Sequence, residues 1–264
     1  MAGFIAVDRS DDERIAEFRL NERGLASRAD KRDNAGAGLF LAEGDLVVER
    51  ALDAGCRPYL ALADSERLPA VAHRLVDAGT DVFVGGDDIR RFVGGLGLPH
   101  PIVALFYRPA RLSAVELITG CQRLVVAEGV DNPANIGSIV RNAAALGWDG
   151  LVLDNTSADP LSRRSTRVAM GTVFTLPHAR TNTLIADLAS AEEIELFALT
   201  PDPRAIDIRD VKPLGRRAIL IGSERAGLSD EILAISTPVR IPMASGVDSL
   251  NAAAAAAVAC YALA

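Results

Sequence analysis

The sequence predicts an α/β protein of two units, the C-terminal one built on a parallel sheet. Helical and strand-like patterns alternate through roughly residues 11–108, and from Arg123 onward short apolar strands recur between helices. Such strands, apolar along their length, suit a sheet covered on both faces. With 264 residues, 49% hydrophobic and 24% charged, the chain is long and apolar enough for two folded domains.

In the first unit, placed at 1–112, the spacing of Ile15, Phe18, Leu20 and Leu25 predicts a helical face over 11–30, with acids in its first turn. Strands are expected at 39–42, 59–62 and 81–84, and helices at 45–54 and 68–77. The run GGLGLP at 94–99 resembles a phosphate-binding loop, but Pro99 and Pro101 follow where a helix would need free N–H donors, so it reads as an ordinary loop. Residues 108–122 connect the units. In the second, placed at 117–264, strands are expected at 124–127, 151–153, 173–176, 196–199, 218–221 and 239–241. Helices are expected at 135–146, 164–170, 184–190 and 249–263.

Composition excludes several classes. No apolar run approaches the ~20 residues that span a bilayer, and the opening MAGFIAVDRSDDER lacks a basic segment followed by a long apolar core, so no signal peptide is expected. Cys56, Cys121 and Cys260 are scattered and odd in number, which suits buried thiols in a reducing cytoplasm. His73, His100 and His178 are isolated, so no metal site is expected, and Trp148 reads as core. The net charge of −7 argues against a general nucleic-acid coat. Basic patches exist all the same: Arg19, Arg23, Arg28, Lys31 and Arg32 in one stretch, and Arg163, Arg164 and Arg167 in another. The second is either an RNA-phosphate contact or a solvated helix face.

In an open parallel sheet, ligands bind beyond the carboxyl ends of the strands. That rule singles out loops 128–136, 200–203 with 222–229, and 242–250. In the first, Asn132 with Pro133, or Asn135, caps a helix ended by Gly147, and Gly137 and Arg141 share a face. In the second, Gly222-Ser223-Glu224 followed by Gly227 predicts a tight turn. In the third, Ser249 is the expected cap of an alanine-rich helix, with Asn251 in its first turn. Taken singly, each loop fits a bland reading: a capped amphipathic helix, a solvated turn, a close-packed core helix.

Together, the segments NPANIGSIVRNAAALG (132–147), LIGSERAGLS (220–229) and IPMASGVDSLNAAAAAAVA (241–259) closely resemble the three signature motifs of the SpoU family of RNA 2′-O-ribose methyltransferases, within the SPOUT superfamily. STRVAMG (165–171) is similar to the family's connecting segment. The resemblance covers about 117–264. The first unit resembles the family's ribosomal-protein-like RNA substrate-binding domain, best at FLAEG (40–44).

The resemblance implies a C-terminal SPOUT domain with a deep trefoil knot over roughly 218–264, a smaller N-terminal α/β substrate-binding domain, and a homodimer with the alanine-rich helix as a contact surface. It implies S-adenosylmethionine as cofactor, held by Thr200, Pro201, Gly222, Ser223, Ile241, Met243, Ser249 and Leu250. It implies Arg141 as the key catalytic residue, with Asn135, Glu224, Ser249 and Asn251 around it. The implied substrate is RNA; ribosomal and transfer RNA enzymes share these motifs, and the two-domain layout favours ribosomal RNA over the alternative of transfer RNA. A non-catalytic RNA-binding protein retaining the fold is the alternative; a nucleotide-dependent oxidoreductase would need a glycine-rich strand–helix turn that the chain lacks.

Overall fold

The computed structural model describes residues 2–26, 38–94 and 100–264. Residues 95–99 of the glycine-rich loop, and Arg28, Lys31 and Arg32, lie outside them. The chain forms two compact units, Met1–Ala110 with Leu161–Phe174, and Arg111–Pro160 with Thr175–Ala264.

The first unit carries a mixed sheet. Strands β1 (Phe4–Ala6), β2 (Leu39–Glu43), β3 (Pro58–Asp64), β4 (Val82–Gly85) and β5 (Ile102–Tyr107) lie in the order β1-β4-β3-β5-β2. β5 runs antiparallel to both its neighbours, and the other pairs are parallel. The helical face expected over 11–30 breaks into a 3₁₀ turn at Glu13–Arg19 and α1 (Glu22–Leu25). The break is local chemistry: Leu20 is extended, and Asn21 opens a new turn by accepting from the Gly24 N–H. Helices α2 (Asp45–Asp53) and α3 (Ala70–Asp77) stand as expected, whereas β1, β5 and α4 (Asp87–Gly94) were not anticipated.

Leu161–Phe174 belongs to this unit although it is flanked on both sides by the second. Its helix α7 (Arg163–Val168) packs on β2. Glu43, buried at the end of β2, pairs with the Arg163 guanidinium and lies 3.7 Å from that of Arg167. These two arginines therefore answer a buried carboxylate, which neither expectation included, while Arg167 keeps about half of its side chain in solvent and Arg164 is exposed. Beyond α7 the chain turns through Met170 (φ 53°) and Gly171 (φ 80°), where Arg50 donates to the Met170 carbonyl. Phe174 then packs on Phe40, the rings 5.4 Å apart and tilted by 34°. The strand expected at 173–176 is accordingly a 3₁₀ turn, Thr172–Phe174, and the true strand begins four residues later.

The second unit is a seven-stranded, wholly parallel sheet. Its strands are β6 (Arg123–Ala127), β7 (Gly150–Leu153), β8 (His178–Arg180), β9 (Ile194–Leu199), β10 (Ile206–Asp207), β11 (Arg216–Ile221) and β12 (Thr237–Arg240). They are ordered β10-β12-β9-β11-β6-β7-β8. The core strands are apolar because both faces are covered. Leu124, Val126, Ala218 and Leu220 pack with Ile118 of α5 (Ala114–Gly120), Leu184 and Leu188 of α8 (Leu184–Ala189), and Ile232 of α9 (Asp230–Ala234). The alternating residues Val125 and Ile219 are equally buried. Here α6 (Pro133–Ala145) and α10 (Ala252–Ala262) pack together, with α10 also against β11.

The alanines of α10 permit that close approach, and side chains from its neighbours fasten its backbone. Asn142 donates to the Ala253 carbonyl at 3.1 Å, the Trp148 indole to that of Cys260 at 2.9 Å, and Arg217 to that of Leu263 at 2.6 Å. The last two carbonyls lie in the final turn, where helices lack internal partners. Trp148→Phe keeps most of the packing but strands a buried carbonyl, so it should lower stability by about 1–3 kcal/mol, read as a reduced urea midpoint with unchanged m. Burial pushes the Cys260 thiol up to about 12 and that of Cys56 to about 11, which suits structural thiols.

Candidate active site

Four adjacent strands, β12, β9, β11 and β6, end side by side, and their carboxyl-end loops hold the residues singled out above. The loop after β6 begins with Glu128, whose carboxylate accepts from the backbone N–H (2.8 Å) and hydroxyl (2.7 Å) of Ser229. This ties the first loop to the end of the second. Gly129 turns the chain at φ 67°, Asn132 caps α6 by accepting from Ala134, and Pro133 takes the first helical position. Asn135 follows within the first turn and is 6% exposed.

The loop after β11 is closed by reciprocal backbone bonds between Ser223 and Gly227, 3.1 and 3.0 Å, and by Ser223 Oγ accepting from Ala226. A Cβ at Gly222 would lie 2.1 Å from the Gly227 carbonyl carbon, so only glycine fits beneath this turn. The turn carries Glu224 at its tip.

After β12, residues 241–250 lead to α10, whose cap is Asn251 rather than the expected Ser249. Asn251 Oδ1 accepts from Ala253 at 3.0 Å and Ala254 at 3.3 Å. Its Nδ2 is thereby aimed away from the helix, and this decides the cap position. Asn251 Nδ2 donates to Asn135 Oδ1 at 3.0 Å and to Glu224 Oε1 at 2.9 Å, while Asn135 Nδ2 donates to the same Glu224 oxygen at 2.6 Å. Three loops thus close on one triangle. Its polarity requires these residue types: each amide donates and accepts, and the ionised acid only accepts. The Glu224 charge also sits at the first turns of α6 and α10, both of which favour an anion.

Asn135→Asp tests that polarity. The change is nearly isosteric but sets two carboxylates 2.6 Å apart in place of a donor and an acceptor. The variant should lose about 1–3 kcal/mol at neutral pH. The loss should shrink on acidification, because a shared proton raises one carboxyl's pKa and removes the repulsion. Thermal midpoints of variant and parent across pH check this.

The remaining residues named from sequence distribute as follows. The Arg141 side chain, exposed on α6, makes no hydrogen bond or ion pair with any described residue. Thr200 donates its backbone N–H to Val239 at 3.0 Å, and Pro201 is exposed beside it. Ile241 and Met243 are half-buried; Ser249 and Leu250 are exposed, and Ser249 stands outside the triangle. Among the described residues no group of three or more His, Cys, Asp or Glu could hold a metal ion. Sequence reasoning missed Glu128, Asp154, Ser157 and Arg180, which fix the loops. Asp154 and Ser157 left a trace in their turn spacing after β7. Arg180 left none, since its partners lie more than 20 residues away.

A wholly parallel sheet whose strand-end loops converge on two amides and an acid defines an α/β protein of the class in which ligands bind at the carboxyl edge. A sequence profile of the SpoU rRNA Methylase family matches residues 122–261, and the chain belongs to that family. An uncharacterized tRNA/rRNA methyltransferase of Mycobacterium tuberculosis is 36% identical over 260 residues, covering 95% of this chain and 88% of its own. The 23S rRNA (uridine(2479)-2′-O)-methyltransferase of Streptomyces viridochromogenes is 31% identical, over 94% of this chain and 89% of its own. Among solved structures, the AdoMet-bound rRNA methyltransferase of Sinorhizobium meliloti superposes with a TM-score of 0.83 at 26% identity, over 98% of this chain and 97% of that one.

Proposed function

We propose that this protein is an S-adenosylmethionine-dependent RNA 2′-O-ribose methyltransferase acting on ribosomal RNA. The closed triangle of Asn135, Glu224 and Asn251 carries the reading, because it joins the three motif loops of the family at one edge of the sheet. Family membership and the 2′-O-methyltransferase of Streptomyces viridochromogenes support the reaction, and that relative's 23S substrate favours ribosomal RNA.

The loops fit the cofactor. Half-buried Ile241 and Met243, with Val247 and Leu250 at 50% and 39% exposure, offer apolar surface for an adenosyl group. Thr200, Pro201, Gly222, Ser223 and Ser249 stand on the same loop set as polar and backbone partners. When bound, S-adenosylmethionine supplies an electrophilic methyl group on a sulfonium. The chain positions the ribose hydroxyl in line with that methyl. Arg141 grips the phosphate next to the target ribose through the five donors of its planar fork. The 2′-hydroxyl held by this arrangement would take the methyl as the methyl–sulfonium bond breaks and the cofactor leaves as the neutral thioether, and would lose its proton to water or to that phosphate. The triangle holds the starts of α6 and α10 fixed while this happens.

The chain after β11 is taken to thread as a deep trefoil knot over about 218–264, consistent with α10 returning against β11 and α6. The protein acts as a homodimer through α10, where Ala254, Val258 and Tyr261 form an exposed stripe at helical spacing. Residues 1–112 bind the RNA substrate. No described helix is long and apolar enough to cross a membrane, and the substrate places the protein in the cytoplasm. Nucleotide-resolution mapping of 2′-O-methyl groups in ribosomal RNA, from cells with and without the gene, tests the proposal. One position should lose its methyl group in the deletion and regain it on complementation; a change confined to transfer RNA, or none, would refute it.

A further inference from the structure

Resting on that reading of the reaction, we propose that Arg180 is a positioning residue for methyl transfer, setting the loop that launches α6 through an intermediate loop at 154–158. Its guanidinium donates to three backbone carbonyls of that loop: Nη1 to Asp154 (2.5 Å) and Ser157 (2.9 Å), and Nη2 to Ala158 (3.0 Å). A planar fork fixes three carbonyls in one relative geometry; a flexible ammonium does not.

The loop so shaped is the mould for residues 129–130. Asp154 Oδ1 accepts from the Gly129 N–H at 3.0 Å, Ser157 Oγ accepts from the Val130 N–H at 3.1 Å, and Ala158 donates to the Val130 carbonyl at 2.8 Å. The mould is itself braced, since Asp154 Oδ1 also accepts from the backbone (2.9 Å) and hydroxyl (2.6 Å) of Ser157. Burial disfavours the Asp154 carboxylate, but bonds from Ser157, Thr156 and Gly129 outweigh it and hold the group below its ordinary pKa. Residues 129–130 lead straight into the Asn132 cap, Pro133 and Asn135. A tilt of that short connection therefore moves one corner of the triangle and the helix that bears Arg141. The bonds from Arg180 to Asp154, Ser157 and Ala158 act on the placement of these residues.

Two readouts separate positioning from bulk stability. In Arg180→Lys, hydrogen exchange at the Gly129 and Val130 amides should speed up by about tenfold or more while β11 amides keep their protection. Its kcat should fall by about tenfold or more, with KM for S-adenosylmethionine and RNA within about twofold of the parent. Ser157→Ala, which removes the Val130 acceptor but leaves the Arg180 fork, should reproduce the kcat loss. The double variant should be little worse than either single change, because both act through one loop. Unchanged exchange at Gly129 and Val130, an unchanged kcat, or fully additive losses would each overturn the proposal. Absence of methyl transfer in the parent would instead count against the assigned reaction, and the exchange comparison would still decide whether Arg180 sets this loop.

Discussion

Arg141→Ala should abolish methyl transfer, lowering the single-turnover rate by about a thousandfold or more, yet bind S-adenosylmethionine within about twofold of the parent. A thousandfold corresponds to about 4 kcal/mol of transition-state stabilisation, within reach of a group that both binds a phosphate and orients the attacking hydroxyl. The cofactor should hardly notice, because its proposed contacts lie on the loops after β9, β11 and β12, not on the exposed side of α6. Stability should hardly change either, since the Arg141 side chain is exposed and has no partner among the described residues. Arg141→Lys should recover only part of the rate, because an ammonium keeps the charge but loses the bidentate fork. Near-normal turnover in the alanine variant would remove Arg141 from the mechanism.

Gly222→Ala should cost the protein its cofactor binding outright. The added methyl would lie 2.1 Å from the Gly227 carbonyl carbon, and 2.3 Å from both the Gly227 oxygen and the Leu228 nitrogen. All three are backbone atoms, so no side chain can swing aside. The Ser223–Gly227 turn must open, and Glu224 leaves both amides. Forced overpacking of this kind costs about 1–3 kcal/mol or more, and two stranded amide donors add to it. Gly129→Ala is the matched control: its methyl meets the Ser223 side chain at 3.4 Å and the Thr156 hydroxyl at 3.8 Å, both ordinary contacts, so the φ of 67° is the main penalty, about 1 kcal/mol. Calorimetric titration with S-adenosylmethionine should show no measurable binding for Gly222→Ala and near-parental binding for Gly129→Ala. Equal affinities in the two would mean the turn is not part of the site.

The contrast between these glycines illustrates what was legible in the sequence. The parallel sheet could be read because strands buried on both faces must be apolar, as 124–127 and 218–221 are. The motif loops could be read because turns and caps demand particular residues. What escaped reading depended on distant partners. Asn251 and Ser249 are equally good caps in isolation, and the choice falls to Asn251 because only its amide also reaches Asn135 and Glu224. The run Val173-Phe174-Thr175-Leu176 has strand composition, but the left-handed turn at Met170 and Gly171 and the docking of Phe174 on Phe40 divert it. Arg163 and Arg167 looked free because their acid, Glu43, is 120 or more residues earlier. Arg180 gave no signal for the same reason.

The most direct test of a methyl donor enclosed beside Arg141 is the chemical identity of the product. The protein is incubated with methyl-labelled S-adenosylmethionine and ribosomal RNA, and the RNA is hydrolysed in alkali. Label should appear in a single alkali-resistant dinucleotide, since a 2′-O-methyl group blocks cleavage at its own phosphate, and Arg141→Ala should leave the RNA unlabelled. Label released in mononucleotides, as base methylation would give, or equal labelling by the Arg141→Ala variant, would contradict the assignment.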